Sequence, residues 1–196
     1  KDIMTLSKKT GKDTISLAKE IEVLLNADKT VYDSIDEKHK VLNAYCNAVG
    51  HKVSGEKVSV DCTKLCNVLN EMSSWIADHI RKTEWITNKE GNSWFNGYYD
   101  NSGNAVEGDF SSGVRMMLTG QVFAIMSGTA TDEQVAKIVK SADDYLYDGA
   151  IGGYRLNTNF NEVKTDLGRM FGFAFGHKEN GAVFSHMAVM YANALY

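Results

Sequence analysis

The carboxyl-terminal stretch of the sequence, residues 176–196, reads GHKENGAVFSHMAVMYANALY. Glycines at positions 176 and 181 flank three ionisable side chains and permit tight backbone turns on either side of them. From residue 183 onward the stretch is apolar on most faces, which is typical of a buried helix. Because the free N–H groups at the start of a helix favour an anion, the sequence predicts a polar loop leading into an anion-binding helix N-terminus.

Three side chains of this stretch are candidate ligand-binding groups. Lys178 and His186 offer positive charge or hydrogen-bond donors to a phosphate or a sugar hydroxyl, and Glu179 offers acceptors to hydroxyl groups. The alternative is an ordinary capped turn, in which Lys178 and Glu179 are solvated and His186 is a core histidine. The residues by themselves leave both interpretations open.

Residues 94–101, WFNGYYDN, form a second candidate surface. Aromatic faces next to amides and a carboxylate suit a sugar, which has apolar C–H faces and polar edges. The alternative is a β-hairpin whose aromatic residues are core and whose turn is residues 100–103, and the pattern favours the hairpin for most of these residues. Gln121 lies on an otherwise apolar helix, where a buried amide needs partners, so we expect it to brace the fold.

Hydrophobic spacing of 3.6 residues predicts six helices in an all-α arrangement of inner and outer layers. Short extended pieces are expected at residues 94–99 and 153–156, as β-hairpin insertions. The predicted helices cover residues 14–26 with Asp13 as cap, a segment opened by a capping box at 34–37, residues 62–82, residues 114–127, a segment opened by a capping box at 131–134, and residues 183–196.

Composition excludes several classes of protein. The 196 residues are 43% hydrophobic, which is too apolar for a disordered chain, and the net charge of -4 gives no sign of nucleic-acid binding. The sequence shows neither an apolar run of the roughly 20 residues that span a bilayer nor a visible signal peptide. We therefore expect a cytoplasmic protein that binds neither nucleic acid nor membrane.

Three cysteines, at positions 46, 62 and 66, form no regular disulfide pattern. Cys62 and Cys66 are four residues apart, but no second pair completes a four-ligand metal site. Small buried apolar side chains in a reducing compartment are the preferred interpretation, and no metal site is predicted.

Glycines and aromatic residues are unevenly distributed along the chain. Only 3 of the 17 glycines and 4 of the 20 aromatic residues precede residue 91. Residues 1–90 therefore resemble ordinary solvated helices, whereas residues 91–196 are rich in the glycine and aromatic loops where binding sites tend to occur. The chain also starts at Lys1 without an initiator methionine, and its last helix has no stop signal. We expect a piece of a longer protein.

Residues 178–186, KENGAVFSH, resemble the K-E-N-G-x-x-F-x-H signature of glycoside hydrolase family 94, the inverting disaccharide and oligosaccharide phosphorylases. Upstream, residues 94–103 resemble the family's W-Y…D-D-N-G stretch, and residues 121–128 resemble its Q-x-W-A-V-x-S-G helix. The three blocks occur in the family's order. Residues 176–196 and 115–128 are most similar in sequence to the β-1,2-oligoglucan phosphorylase branch of the family. Residues 1–90 show only a loose resemblance to the family.

This resemblance implies a fold and an activity. The fold is an (α/α)6 barrel, of which residues 1–196 would form about half of the catalytic domain. The activity is cleavage of β-linked gluco-oligosaccharides by inorganic phosphate, a co-substrate, to give α-glucose 1-phosphate without a cofactor. By the match, Lys178 and Glu179 would bind the acceptor-side sugar, and His186 would bind phosphate.

The same resemblance implies what lies outside this sequence. The family's general acid is an aspartate in a D-W-N-D motif, which does not occur here, so the isolated chain is expected to be inactive. The partners implied are the oligosaccharide, phosphate, the remainder of the parent polypeptide and, because family members are often dimers, a second copy.

Two other interpretations stay open. One is an (α/α)-barrel glycoside hydrolase that uses Glu179 or Asp100 as acid or base, although inversion by water requires a second carboxylate and phosphorolysis does not. The other is a non-catalytic helical module that binds carbohydrate or serves as a scaffold.

Overall fold

The computed structural model describes residues 2–50 and 52–196. The chain divides into two compact units, of which the first ends at Ile76 and the second runs from Ala77 to Tyr196. The change in glycine and aromatic content at residue 91 therefore lies inside the second unit.

The first unit combines helices with one pair of strands. Its elements are α1 (Asp2–Thr10), β1 (Thr14–Ala18), a 3-10 turn (Lys19–Ile21), α2 (Glu22–Leu25), a second 3-10 turn (Lys29–Asp33), α3 (Ile35–Val49), β2 (Lys57–Asp61) and the start of α4 (Cys62–Thr83). The predicted helices at 34–49 and 62–82 are confirmed. At the start of α3, the Ser34 hydroxyl accepts a hydrogen bond from the Glu37 N–H at 3.4 Å.

The predicted helix over residues 14–26 is wrong in its first half. Residues 14–18 form β1, which pairs antiparallel with β2 so that Ile15 lies opposite Val60. The apolar spacing fits a helix, but pairing with a distant β-branched strand outweighs local periodicity here. Asp13 does not cap a helix; its carbonyl accepts the N–H of Cys62 at 2.8 Å.

The second unit consists of helices connected by short hairpins. Besides the end of α4, its elements are β3 (Trp85–Thr87), β4 (Ser93–Phe95), β5 (Gly108–Phe110), β6 (Gly113–Arg115), α5 (Leu118–Met126), α6 (Asp132–Tyr145), β7 (Tyr147–Asp148), β8 (Gly153–Tyr154), a 3-10 turn (Gly168–Gly172) and α7 (Ser185–Leu195). The strands form three separate antiparallel pairs, β3 with β4, β5 with β6, and β7 with β8. About half of the described chain is helical, so the chain is more mixed than a purely helical fold.

Helix α5 starts later than predicted. Residues 113–115 belong to β6, which pairs with β5, so the helix begins at Leu118 instead of 114. Its apolar surface is only partly buried: Val122 is fully buried, whereas Phe123 is 53% exposed. The capping box of α6 is confirmed, since the Thr131 hydroxyl and the Gln134 side chain each accept the other residue's backbone N–H.

The main core of the second unit lies between the β4 segment and helices α5, α6 and α7. Its buried side chains are Trp94, Met116, Leu118, Val122, Ala142, Leu146, Leu156, Met187 and Tyr191. Among the cysteines, Cys62 is buried as predicted, but Cys46 is exposed, contrary to the prediction. Across the described ranges, no helix combines the length and apolarity that a membrane span requires.

Candidate functional site

The segment before α7, here called the 176–184 loop, has the tight geometry that its glycines predict. Gly176 and Gly181 have φ angles of +91° and +74°, and Lys178 between them has a φ of +47°. A Cβ atom on Gly181 would lie 2.2 Å from Cε2 of Phe175. No side chain fits there, so glycine at 181 is required both by its φ angle and by the adjacent ring.

Two buried asparagines fix this loop. The Asn157 amide nitrogen donates to Oδ1 of Asn180 at 3.2 Å, and Asn157 Oδ1 accepts the Gly181 N–H at 2.7 Å. The Asn180 amide nitrogen in turn donates to the Phe173 carbonyl at 2.9 Å. Asn180 is therefore a structural member of the K-E-N-G block, and it holds the neighbouring Glu179 in place.

Glu179 and His186 line one pocket of about 440 Å³. Three further polar side chains line it: Tyr98, Thr119 and Arg169. The remaining wall is apolar and consists of Met117, Leu156, Leu167, Met170, Phe184 and Met187. An apolar cleft with a few convergent polar groups is the usual form of a small-molecule site, and we call it the Glu179 pocket.

The two carboxylate oxygens of Glu179 differ in their surroundings. Oε1 lies 3.2 Å from Nε of Arg169. Oε2 is shielded from solvent and has no hydrogen-bond partner within the described part of the chain. A buried acceptor without a hydrogen bond lowers the stability of the fold. A ligand that donates a hydrogen bond to Oε2 would remove this penalty.

His186 is the second residue of α7. It is exposed, so the interpretation as a core histidine is wrong, and its ring centroid lies 5.4 Å from that of Phe184. No side chain caps the start of this helix. The N–H groups of the first turn therefore add donors near the imidazole, as the sequence predicted.

Lys178 does not line the Glu179 pocket. Its ammonium lies 4.9 Å from the centroid of the Phe173 ring, and the Arg169 guanidinium lies 5.2 Å from the same ring. Such cation–π contacts hold both side chains. The structure therefore brings Glu179 and His186 together but places Lys178 beside the pocket, with Arg169 as the cation that lines it.

The second candidate surface, residues 94–101, separates into core and site. Trp94 and Phe95 are buried, as the hairpin interpretation predicts, whereas Tyr98 lines the Glu179 pocket. Tyr99 instead donates its hydroxyl proton to the carboxylate of Glu84 at 2.8 Å. Gln121 is confirmed as a brace, since its side chain bonds both the N–H and the carbonyl of Phe95.

Asp100 lies outside the Glu179 pocket. Its carboxylate accepts the backbone N–H groups of Asn104 and Ser102, each at 2.9 Å, and closes the predicted turn. These hydrogen bonds, that from Asn104 foremost, lower the pKa of the Asp100 carboxyl. A general acid needs the opposite shift, so the site offers no support for Asp100 as the acid of a hydrolase.

Three residues of the site were not predicted from the sequence: Arg169, Thr119 and the bracing Asn157. Arg169 had one local signal, because it is a single cation in the aromatic and glycine-rich stretch GRMFGF at 168–173. Thr119 and Asn157 had none, since only the fold brings them to the loop. Within the described ranges, no group of three or more His, Cys, Asp or Glu side chains is placed to hold a metal ion.

Comparison with known proteins finds two relatives whose names describe phosphorylases. The chain is similar to a cellobionic acid phosphorylase of Neurospora crassa, with 30% identity over 82 residues, which is 42% of this chain and 10% of that protein. It is also similar to a solabiose phosphorylase of Paenibacillus borealis, with 26% identity over 122 residues, 62% of this chain and 15% of that protein. The matches thus span only a small part of these relatives' length.

The sequence model of the glycosyl hydrolase 94 superfamily catalytic domain matches residues 55–195, well over half of the chain. That range includes the whole K-E-N-G block and every residue that lines the Glu179 pocket. The chain belongs to the glycosyl hydrolase 94 superfamily.

Proposed function

We propose that this chain supplies the sugar- and phosphate-binding pocket of an inverting glycoside phosphorylase that acts on β-linked gluco-oligosaccharides. Family membership supports this proposal, as do two relatives whose names describe phosphorylases. The observation that carries it is the meeting of Glu179, Arg169 and His186 in one pocket.

Glu179 is the proposed sugar ligand. Its Oε2 atom has no hydrogen-bond partner among the described residues. A sugar hydroxyl can donate a hydrogen bond to this atom. Hydrogen bonds to a charged group contribute about 1.5–3 kcal/mol each. The ring of Tyr98 and the apolar wall suit the C–H faces of the same sugar, so the pocket matches the mixed polarity of a pyranose.

Arg169 and His186 are the proposed phosphate ligands. Phosphate is an anion, and it needs a compensating positive charge when it leaves water. Arg169 is charged at any working pH, while His186 and the hydroxyl of Thr119 add hydrogen-bond donors. The uncapped first turn of α7 supplies backbone N–H groups and the positive end of the helix dipole.

The chemistry needs only one acid beyond these groups. A phosphate oxygen attacks the anomeric carbon as the bond to the leaving oxygen breaks, and a carboxylic acid gives that oxygen its proton. The products are α-glucose 1-phosphate and a sugar shortened by one unit. Phosphate is already an anionic nucleophile, so no second carboxylate is needed to activate water.

The acid itself is proposed to come from elsewhere in the parent polypeptide. The D-W-N-D motif that carries it in the family is absent from this sequence. We propose that this chain contributes part of an (α/α)6 barrel, and that the rest of the barrel carries the acid. The isolated chain is therefore expected to bind substrates without turning them over.

The test uses the polypeptide that carries this chain, incubated with sophoro-oligosaccharides and phosphate and followed by 31P and 1H NMR. We expect α-glucose 1-phosphate to form only when phosphate is present. Glu179→Gln should lower the rate at least tenfold, because it replaces a charged acceptor by a neutral one, whereas the matched change Asp100→Asn lies outside the pocket and should retain activity.

Two results would contradict the proposal. Cleavage that proceeds equally well without phosphate would indicate a hydrolase. Failure to form glucose 1-phosphate from any β-glucan oligomer would exclude the proposed reaction altogether.

A further inference from the structure

Two separate chain segments provide neighbouring parts of the Glu179 pocket. One carries Tyr98, and the other carries Met117 and Thr119. The segments approach each other closely at Gly97 and Gly120, where a Cβ atom on Gly97 would lie 3.1 Å from the Cα of Gly120. The position of Tyr98 relative to the start of α5 therefore depends on this contact.

A single buried carboxyl group bridges the two segments. Glu107 is only 3% exposed. Its Oε1 accepts the N–H of Gly97 at 2.8 Å, and its Oε2 accepts the N–H of Met117 at 2.7 Å. One side chain thus holds the residue that precedes Tyr98 and a residue of the facing segment that itself lines the pocket.

The bridge is itself held in place. The backbone N–H of Glu107 donates to Oδ1 of Asn96 at 3.2 Å, and the Asn96 amide nitrogen donates to Glu84 at 3.0 Å. These bonds leave Glu107 little freedom, and its carboxyl group does not line the pocket. It cannot act on a ligand directly.

We propose that Glu107 is a positioning residue that sets the spacing between Tyr98 and the Met117–Thr119 wall, and so the width that the pocket offers to a sugar ring. Glu107 is suited to this role because each of its two hydrogen bonds holds the backbone of one wall. Breaking either bond would allow that wall to move relative to the other. The inference depends on the proposed function only in taking a sugar as the ligand.

Titration of Glu107 gives the proposal a readout that needs no ligand. Burial raises the pKa of the Glu107 carboxyl to about 8, even though the N–H groups of Gly97 and Met117 lower it. Ionisation turns both contacts into charge-assisted hydrogen bonds. We therefore expect the amide resonances of Gly97 and Met117 to shift together with a midpoint near pH 8, and the resonances of Tyr98 and Thr119 to follow.

The effect on stability has a defined sign. Because the folded state binds this proton more tightly than the unfolded chain, Glu107 stabilises the fold fully below its ordinary pKa of 4.5 and loses that contribution as the pH rises through about 8. The free energy of unfolding should therefore fall less steeply between pH 5 and pH 9 in Glu107→Gln than in the wild type.

The experiment compares Glu107→Gln with Ser141→Ala in the 196-residue chain. Ser141 is also buried, and its hydroxyl hydrogen-bonds Ser93 of β4 and the carbonyl of Lys137, neither of which lines the pocket. Glu107→Gln turns an amide NH₂ toward one of the two N–H donors and breaks that bond. We expect it to abolish the linked shifts and to weaken sophorose binding about tenfold, while Ser141→Ala changes neither.

Each outcome is decisive. Unchanged Tyr98 and Thr119 resonances and unchanged sophorose affinity in Glu107→Gln would overturn the proposal. If the wild type binds no sugar, the proposed function fails, but the linked resonances still decide the role of Glu107. If Glu107→Gln does not fold, the wild-type titration decides: movement of Tyr98 and Thr119 with the Gly97 midpoint supports the proposal, and independence from it refutes the proposal.

Discussion

Lys178 and Gly181 adopt left-handed backbone conformations three residues apart, with φ angles of 47° and 74°. For a residue with a side chain, that conformation costs roughly 1–2 kcal/mol. The surrounding hydrogen bonds of Asn157 and Asn180 maintain it. The result is that Glu179, between them, points one carboxylate oxygen to Arg169, while the other has no hydrogen-bond partner among the residues that the structure describes.

Gly181→Ala tests this geometry. The new methyl group would meet the Phe175 ring at 2.2 Å and would require an unfavourable φ. We expect a loss of at least about 2 kcal/mol in the free energy of unfolding, measured with urea. The control is Gly172→Ala, where the site is open; equal stability of the two variants would contradict the account.

The residues of the site that lie close together in the chain could be predicted from the sequence. The glycines and ionisable groups of residues 176–186 are adjacent in the chain, so their turn and their meeting at a helix start were predictable. The ion pair of Arg169 with Glu179 was not predictable, because the two residues lie ten positions apart in the chain and only the fold brings them together. Lys178 was expected to bind the sugar because the K-E-N-G block resembles the family signature; its ammonium lies over the Phe173 ring, and Lys178 does not line the pocket.

Among the elements, helices with polar start signals agree best with the sequence. The caps at Ser34 and Thr131 mark the starts of α3 and α6 correctly, because a cap is a contact between residues three apart, although only Thr131 forms the full reciprocal box. β1 was missed, since it pairs with residues far along the chain, in β2, and this pairing leaves no local signal. The late start of α5 has another cause: β6 pairs with β5 in a tight hairpin, with Phe110 opposite Gly113, and this pairing takes residues 113–115 out of the predicted helix.

Thr131→Ala tests the capping of α6. It removes the acceptor for the Gln134 N–H, so we expect the free energy of unfolding to fall by about 0.5–2 kcal/mol. Thr131→Ser keeps the hydroxyl and should retain most of the stability. A loss equally large in Thr131→Ser would show that the cap is not the source.

For the molecule as a whole, the second unit concentrates the site. Every residue that lines the Glu179 pocket comes from the Ala77–Tyr196 unit. Four parts of that unit meet there: the stretch after β4, the start of α5, Leu156 after β8, and the region from Leu167 to α7. The K-E-N-G signature marks only the stretch from Glu179 to His186, because the fold alone brings the side chains of the other segments to the pocket.

An NMR titration of the 196-residue chain determines whether one pocket binds both a sugar and phosphate. Sophorose and inorganic phosphate, added separately, are predicted to shift the resonances of Glu179, Arg169 and His186. Glu179→Gln should weaken sophorose binding about tenfold without weakening phosphate binding. Shifts from the two ligands on separate surfaces, or on none of these three residues, would contradict the account.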